Sequence, residues 1–289
     1  MTGRAFYSWR VILPLALAAL LAWTAFLTLP DDRVRVDFLD VGQGDAILIR
    51  TPSYKVLVDG GPSPQTVARR LGERLPFWDR RIDLIVLTHP HEDHLMGLME
   101  VLQRYQVGGI LATPYEHDST LYRQWRVLIR DRGVRYVIAG QGQEVRLGSE
   151  ARLRVLLPGV SLFQGTDSDP NNNSVVLRLE VGGFSALLPG DIEEEAQQKL
   201  LAEQLGLESQ VLKVPHQGAR NALSEGFLGR VNPQVAVISV GEKNPFGHPA
   251  QETIQKLQGI SVFRTDQQGT IEVETDGRGY RVVAERPSK

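Results

Sequence analysis

Cysteine is absent from all 289 residues. That excludes disulfide staples, thiolate metal ligands and a cysteine nucleophile, and it leaves the compartment open, since either side of a membrane tolerates a cysteine-free chain. A large net charge is also absent. The 32 basic and 34 acidic residues leave −2, so no global basic field draws in a polyanion. There is no low-complexity segment, and no repeat beyond a rough similarity between the two halves. Long hydrophobic runs are scarce, and the one present is Val11–Pro30, which carries no charge. It has about the length that crosses a hydrocarbon core as a helix. Arg4 and Arg10 precede it, and Asp31, Asp32 and Arg33 follow. The positive-inside bias keeps the N-terminus in the cytoplasm and exports the rest. A cleaved signal peptide is the rival reading, but the run is long and no A-x-A-like site follows it. The expectation is a single-pass anchor over residues 1–32, ahead of one extracytoplasmic domain over residues 33–289.

The most informative stretch is Ile82–Tyr105, IDLIVLTHPHEDHLMGLMEVLQRY. It begins as a buried strand and ends with Leu95, Leu98, Met99 and Leu102 at helical spacing. Between them lie three imidazoles and two carboxylates in six residues. At a strand end, residues two apart point the same way, so His89 and His91 can converge on one point. Asp93 and His94, at the mouth of the helix, can aim at a second. Neutral imidazole and carboxylate suit zinc, manganese or iron(II). A polar helix start with Asp93 as N-cap is the plainer alternative, but the density of the cluster reads as a metal site.

Elsewhere, strands keep ending on polar residues. LVDGG ends on Asp59. SVVLRLEVGGFSALLPGD reads as a hairpin through Gly182 and Gly183 that ends on Asp191, which either ligates metal or caps a helix over Ile192–Gln204. QVLKVPHQG reads as a strand ending on His216, a second candidate donor, although an isolated histidine there would more often be a core residue. Pro64–Leu75 reads as a helix. Asp118 reads as the N-cap of another, with Leu121, Trp125 and Leu128 inward and Gly133 as its stop. GTIEVET reads as the strand that completes the sheets. Strands and helices alternate with hairpins in both halves, which predicts an α/β chain of two mixed sheets face to face with helices outside.

The motif HxHxDH resembles the signature of the metallo-β-lactamase superfamily. The ordered segments DVGQGD, LVDGG, THPHEDHLMG, NNNSVVL, LLPGD, LKVPHQG, VGEKNPFGHP and FRTDQQGTI are similar to the metallo-β-lactamase domain of the ComEC competence (DNA-uptake) family, over about residues 34–275. The resemblance implies an αββα sandwich and a hydrolase with two divalent metal ions, zinc or manganese. By position, His89 and His91 hold one ion, Asp93, His94 and His216 the other, and Asp191 bridges. Asp93 doubles as a proton acceptor, and His248 donates to a phosphate or leaving group or else caps a turn. Three departures stand out. Asn172 and Asn173 lie where the superfamily offers a third histidine, so an amide oxygen is a weaker first-metal donor. His216-Gln217-Gly218-Ala219 stands where HHGS is common. One hydrophobic span cannot form a channel, so a separate channel protein is the expected partner in DNA uptake.

Asp45 and Asp59 border the site, and Asp59 is expected to fix the histidine loop through hydrogen bonds. His117 reads as a solvated loop residue. The favoured activity is a phosphodiesterase or nuclease on DNA. The alternatives are a hydrolase of another ester, thioester or lactam, and a non-catalytic metal-binding partner of an uptake complex. A nuclease needs a basic groove, and Arg123, Arg126 and Arg130 on one helix face are its candidate.

Overall fold

A computed structural model of the chain describes residues 9–27 and 32–287. By contacts the chain divides into two units, one ending at Asp32 and one spanning Arg33–Lys289. In the first, the hydrophobic stretch forms one helix, Trp9–Leu27. Arg4, residues 28–30 of the expected span and Asp31 lie outside the described residues. Among the described residues, no helix is long and apolar enough to cross a membrane.

The second unit holds two mixed sheets. The first has eight strands, in the order Tyr280–Ala284, Ile271–Thr275, Val34–Phe38, Ile47–Arg50, Lys55–Val58, Leu84–Leu87, Ile110–Ala112 and Tyr136–Ile138. The second has seven, in the order Ser261–Arg264, Val235–Ile238, Val211–Lys213, Phe184–Leu188, Val176–Val181, Ala151–Leu157 and Glu144–Leu147. In each, an antiparallel part joins a parallel part. The parallel strands are linked through helices on the outer face, as parallel pairing requires.

Side-chain alternation builds four layers. Ile47, Ile49, Val56 and Val58 enter a central core shared with Leu177, Leu179, Ala186 and Leu188 of the other sheet. Leu48 and Leu57 point the opposite way, against Val67, Leu71, Leu98 and Trp125 of the outer helices. On the far side, Leu187, Leu212 and Ala236 meet Ala196, Leu200 and Phe227. Each fully buried side chain of this kind contributes roughly 1.5–3 kcal/mol. The arrangement is the predicted αββα sandwich.

Several boundaries differ from the sequence reading. The helix after residue 118 is capped by Ser119, whose side chain accepts from the Tyr122 N–H, and its buried stripe is Tyr122, Trp125 and Ile129. Leu121 and Leu128 pack against the same core as expected, partly buried beside Trp125, and Tyr122 and Ile129 widen the stripe. The helix after Asp191 begins only at Glu194, with Glu193 as N-cap, so Asp191 is free of capping. The strand before His216 stops at Lys213. A further strand, Tyr280–Ala284, lies beyond GTIEVET and closes the sheet edge.

The histidine-bearing helix Glu92–Arg104 is stitched to the turn at residues 59–61. Gly60 donates to the His94 carbonyl at 2.7 Å, and Gly97 donates to the Gly61 carbonyl at 2.9 Å. A Cβ on Gly97 would run into the Gly60 carbonyl. Gly97→Ala is therefore expected to destabilise the protein by about 2–4 kcal/mol, because neither backbone can yield without moving the site. Urea unfolding checks this.

Candidate metal centre

Both sheets end their parallel strands at one rim, and the polar turns there form a single cluster. Asp59 is its hub. Its backbone is left-handed, φ 58°, which directs the carboxylate back under the strand Leu84–Leu87. It accepts from the Thr88 N–H at 2.8 Å, the Thr88 hydroxyl at 2.6 Å and His94 Nδ1 at 2.9 Å. Because the Thr88 hydroxyl donates to Asp59, it accepts from His89 Nδ1 at 3.0 Å. Both imidazoles therefore carry hydrogen on Nδ1 and turn Nε2 into the site.

Those nitrogens face further polar groups. His89 Nε2 faces His91 Nδ1 at 3.2 Å. His94 Nε2 faces Asp191 Oδ2 at 3.2 Å and Asp93 Oδ2 at 3.5 Å. His89, His94 and Asp191 each place one donor atom within 4.8 Å of the others. A second such group is Asp45, Asp59 and His94. There, however, Asp45 already contacts the Lys213 ammonium, and Asp59 is spent on Thr88 and His94. The first group has the open valence.

Charge does not balance at this rim. Asp45, Asp59 and Asp191 are buried to 1% exposure, and Asp93 is half-buried. Among the described residues one side-chain cation answers them: fully buried Lys213, which donates to Asp191 at 3.1 Å and to the Gly190 carbonyl at 2.9 Å and also pairs with Asp45. Burial opposes ionisation of Asp191, yet Lys213 and His94 hold its carboxyl well below the usual range. Burial pushes Asp45 up to about 6 against the pull of Lys213. Burial also lowers His89 and His91, which keeps both imidazoles neutral. His94 goes the other way. Burial disfavours its charge, but Asp191, Asp93 and Asp59 outweigh that and raise it well above the ordinary histidine value. Without a metal, a proton on His94 fills the gap.

His216 is placed differently from the sequence reading. Two residues separate it from the strand end, and both it and Gln217 adopt left-handed backbone, φ 47°. The turn leaves the His216 ring on the wall, its Nδ1 3.3 Å from Glu193, and sends the Gln217 side chain inward. Gln217 Nε2 lies 2.8 Å from Asp191 Oδ2 and 3.3 Å from His94 Nε2. A relay pins that amide. The Gly241 N–H donates to Gln43 Oε1 at 3.1 Å, so Gln43 Nε2 faces Gln217 Oε1 and His248 Nδ1, each at 3.3 Å. His248 thereby keeps its hydrogen on Nε2. Gln217 stands out in the sequence only as a departure from HHGS, and Gln43 and Lys213 do not stand out at all. The one available signal was position, with Gln43 inside the VGQGD turn and Lys213 and Gln217 flanking a strand end.

The amides at Asn172 and Asn173 are consumed by structure. Asn172 Oδ1 accepts from the N–H groups of Glu193 and Ala196, and its amide donates to Glu195 and Thr166. Asn173 clamps Phe163 and Asp169. Neither is available as the expected weak ligand. Arg123, Arg126 and Arg130 do not reach the site. They lie on the exposed side of their helix, with Arg126 stacked 4.5 Å from the Tyr136 ring and Arg130 paired with Asp131. His117 approaches His91, with rings 6.3 Å apart.

A cavity of about 470 Å³ opens above the cluster. His91, Asp93, Asp191, His216, Gln217 and His248 line it, with Phe246 and Pro62 as apolar walls. Among the described residues, no lysine or arginine lines it.

The metallo-beta-lactamase superfamily matches residues 39–242, and the chain belongs to that family. ComE operon protein 3 of Bacillus subtilis (strain 168) is 32% identical over 265 residues, covering 84% of this chain and 33% of that protein. Competence protein ComA of Neisseria gonorrhoeae is 30% identical over 257 residues, covering 86% and 33%. The chain thus spans about a third of the length of these curated relatives. Among solved structures, the metallo-beta-lactamase fold protein YhfI from Bacillus subtilis superposes with a TM-score of 0.57 at 12% identity, covering 85% of this chain and 100% of that one. A putative metal-dependent hydrolase from Parabacteroides distasonis ATCC 8503 gives 0.52 at 13%, covering 81% and 93%. These two share the fold.

Lys213 is the residue on which the metal-free rim depends. Lys213→Met keeps the volume but leaves Asp45 and Asp191 buried without a cation. It is expected to destabilise the metal-free protein by about 3–5 kcal/mol. Guanidinium unfolding in the presence of a chelator measures it.

Proposed function

We propose that this chain is a metal-dependent hydrolase with two divalent cation positions, acting on phosphodiester bonds of DNA. The observation that carries the reading is the convergence of bare imidazole nitrogens and carboxylates on the cavity floor, with more buried negative charge than Lys213 offsets. Neutral nitrogen and anionic oxygen donors fit zinc or manganese. In this reading His89, His91 and Asp191 would hold one ion, and Asp93, His94 and Asp191 would hold the other. His216 stays a cavity-wall imidazole, and the inner position on its turn belongs to Gln217. When bound, such ions make water ionisable near neutral pH and offset charge on the attacked group.

The chain's own groups do the rest. Asp93 stands at the cavity floor beside His94 and accepts a proton from water. His248, with hydrogen on Nε2, donates to a phosphate or leaving oxygen. Phe246 is 67% exposed beside His248, 5.7 Å between rings, and offers a face on which a base can stack. The absence of lysine and arginine from the lining leaves phosphate attraction to the cations. That suits a single strand entering end-on better than a duplex gripped along its backbone. The DNA assignment leans on the similarity to proteins whose names carry competence. A hydrolase of another ester, thioester or lactam is the competing activity, and a non-catalytic metal-binding partner of an uptake complex is the competing role. We also read Val11–Pro30 as a membrane anchor, on its lack of charge and the preceding Arg4 and Arg10. The second unit then lies outside the cytoplasm, beside a separate channel protein.

The purified protein with manganese should cleave single-stranded DNA and bis-p-nitrophenyl phosphate, and His89→Ala and Asp93→Ala should each lower turnover by about 10³-fold or more. Cleavage of a lactam or thioester with no action on phosphodiesters would remove the proposed substrate. Inertness to every substrate would leave only the non-catalytic role.

Gln217 decides the second position. Its NH2 group now donates where a cation would sit, so the amide must turn over before its oxygen can face metal. Gln217→His removes that obstacle and supplies nitrogen. It should tighten binding of a second zinc by about tenfold or more, read as bound zinc per chain across a chelator series.

A further inference from the structure

We infer that the turn carrying Phe77 and Trp78 is a membrane-interface contact that seats the Arg33–Lys289 unit on a bilayer with its cavity facing away; this rests on the anchor reading above. Phe77 is 79% exposed and Trp78 66% exposed, with rings edge to face 4.8 Å apart. Side chains of that size are rarely left in water together without a use. Tyr54, also exposed, joins them at the same end of the first sheet. Register proves the neighbourhood. Tyr54 lies in the turn that pairs Arg50 with Lys55, and Lys55 contacts Asp79 at 2.8 Å and Asp83 through backbone bonds. Phe77 and Trp78 immediately precede Asp79.

The chain enters this unit at that end as well. Val34 begins its strand there, since Arg35 pairs with Arg50. Only three residues separate Pro30, the end of the uncharged run, from Val34, and four steps along the chain reach at most about 14 Å. A bilayer holding the run therefore lies close to this end of the sheet. The composition fits its surface. Aromatic rings with a basic fringe, here Lys55, Arg80 and Arg81, are what the headgroup boundary selects. Arg80 itself lies over the Tyr105 ring at 5.6 Å, and Arg81 is paired with Asp83, so the rings rather than net charge provide the contact. The strands run away from this end. Lys55–Val58 leads to Asp59, about 13 Å farther from the bilayer at strand rise. The cavity would then open toward the solvent side.

The test uses the full chain in vesicles of phosphatidylcholine and phosphatidylglycerol, with Trp9 and Trp23 changed to Phe. Trp125 is fully buried, so only Trp78 can meet lipid. Lipids brominated near the headgroup should quench Trp78 emission, and adding Trp78→Phe should abolish the quenching. Co-flotation with no quenching overturns the inference and leaves the anchor standing. A blue-shifted Trp78 emission that bromine does not touch means that protein covers the turn, and it also overturns the inference. Failure to float overturns both.

Discussion

The rim of this protein is organised by an excess of buried negative charge. Asp45, Asp59 and Asp191 are withdrawn from water with Lys213 as their one permanent cation. Charges in that position are costly unless paired, so the remaining positive charge must come from a proton on His94 or from metal. Proton and metal compete for the same nitrogen, because Asp59 holds the other one. The geometry that suits a metal is therefore also the geometry that raises His94. The neutral state of His89 and the charged state of His94 follow from one network rather than from two environments.

That network depends on backbone more than on side chains. The left-handed Asp59, the glycines behind it and Gly97 let the turn at residues 59–61 dock on the first turns of the histidine helix. The two halves of the sandwich meet through Gln43, which takes a hydrogen bond from Gly241 of the second half and passes an amide to Gln217 and His248. A sheet pair alone would leave these turns free to spread. The relay gives the glutamines and His248 fixed orientations, and so fixes which atom each presents to the cavity.

How much of this was legible depends on whether the signal was local. HPHEDH announces itself because its ligand types are adjacent in sequence, and strand ends could be found from periodicity, which is why Asp59 and Asp191 were placed correctly at the rim. Periodicity cannot specify how a chain turns after a strand. The left-handed pair His216 and Gln217 exchanges which side chain points inward, and nothing in the residue types foretells it. The arginines of the helix Thr120–Arg132 share a face as expected, yet that face flanks the buried stripe of Tyr122, Trp125 and Ile129 and looks to solvent. Lys213 was invisible for the opposite reason. A lysine inside VLKV reads as a strand position on an exposed face, and only the long-range approach of Asp45 and Asp191 makes it a core residue.

The asparagines refine what an absent histidine means. If Asn172 and Asn173 had merely replaced an imidazole, their amides would face the donors left behind. They face elsewhere, closing the N-terminus of the helix Glu194–Ala202 and the loop at Phe163. In the proposed reading the first cation position would have three protein donors and an open side toward the cavity, where a water or a phosphate oxygen could enter. A centre with two such weakened positions, one short of a donor and one obstructed by an amide, would hold its ions less firmly than a closed structural site. Firm binding is the property of sites whose valence is filled by protein, whereas chemistry requires valence left for the substrate. Under that reading, the departures that would make this rim a poor zinc store would also leave it open where a scissile bond has to lie.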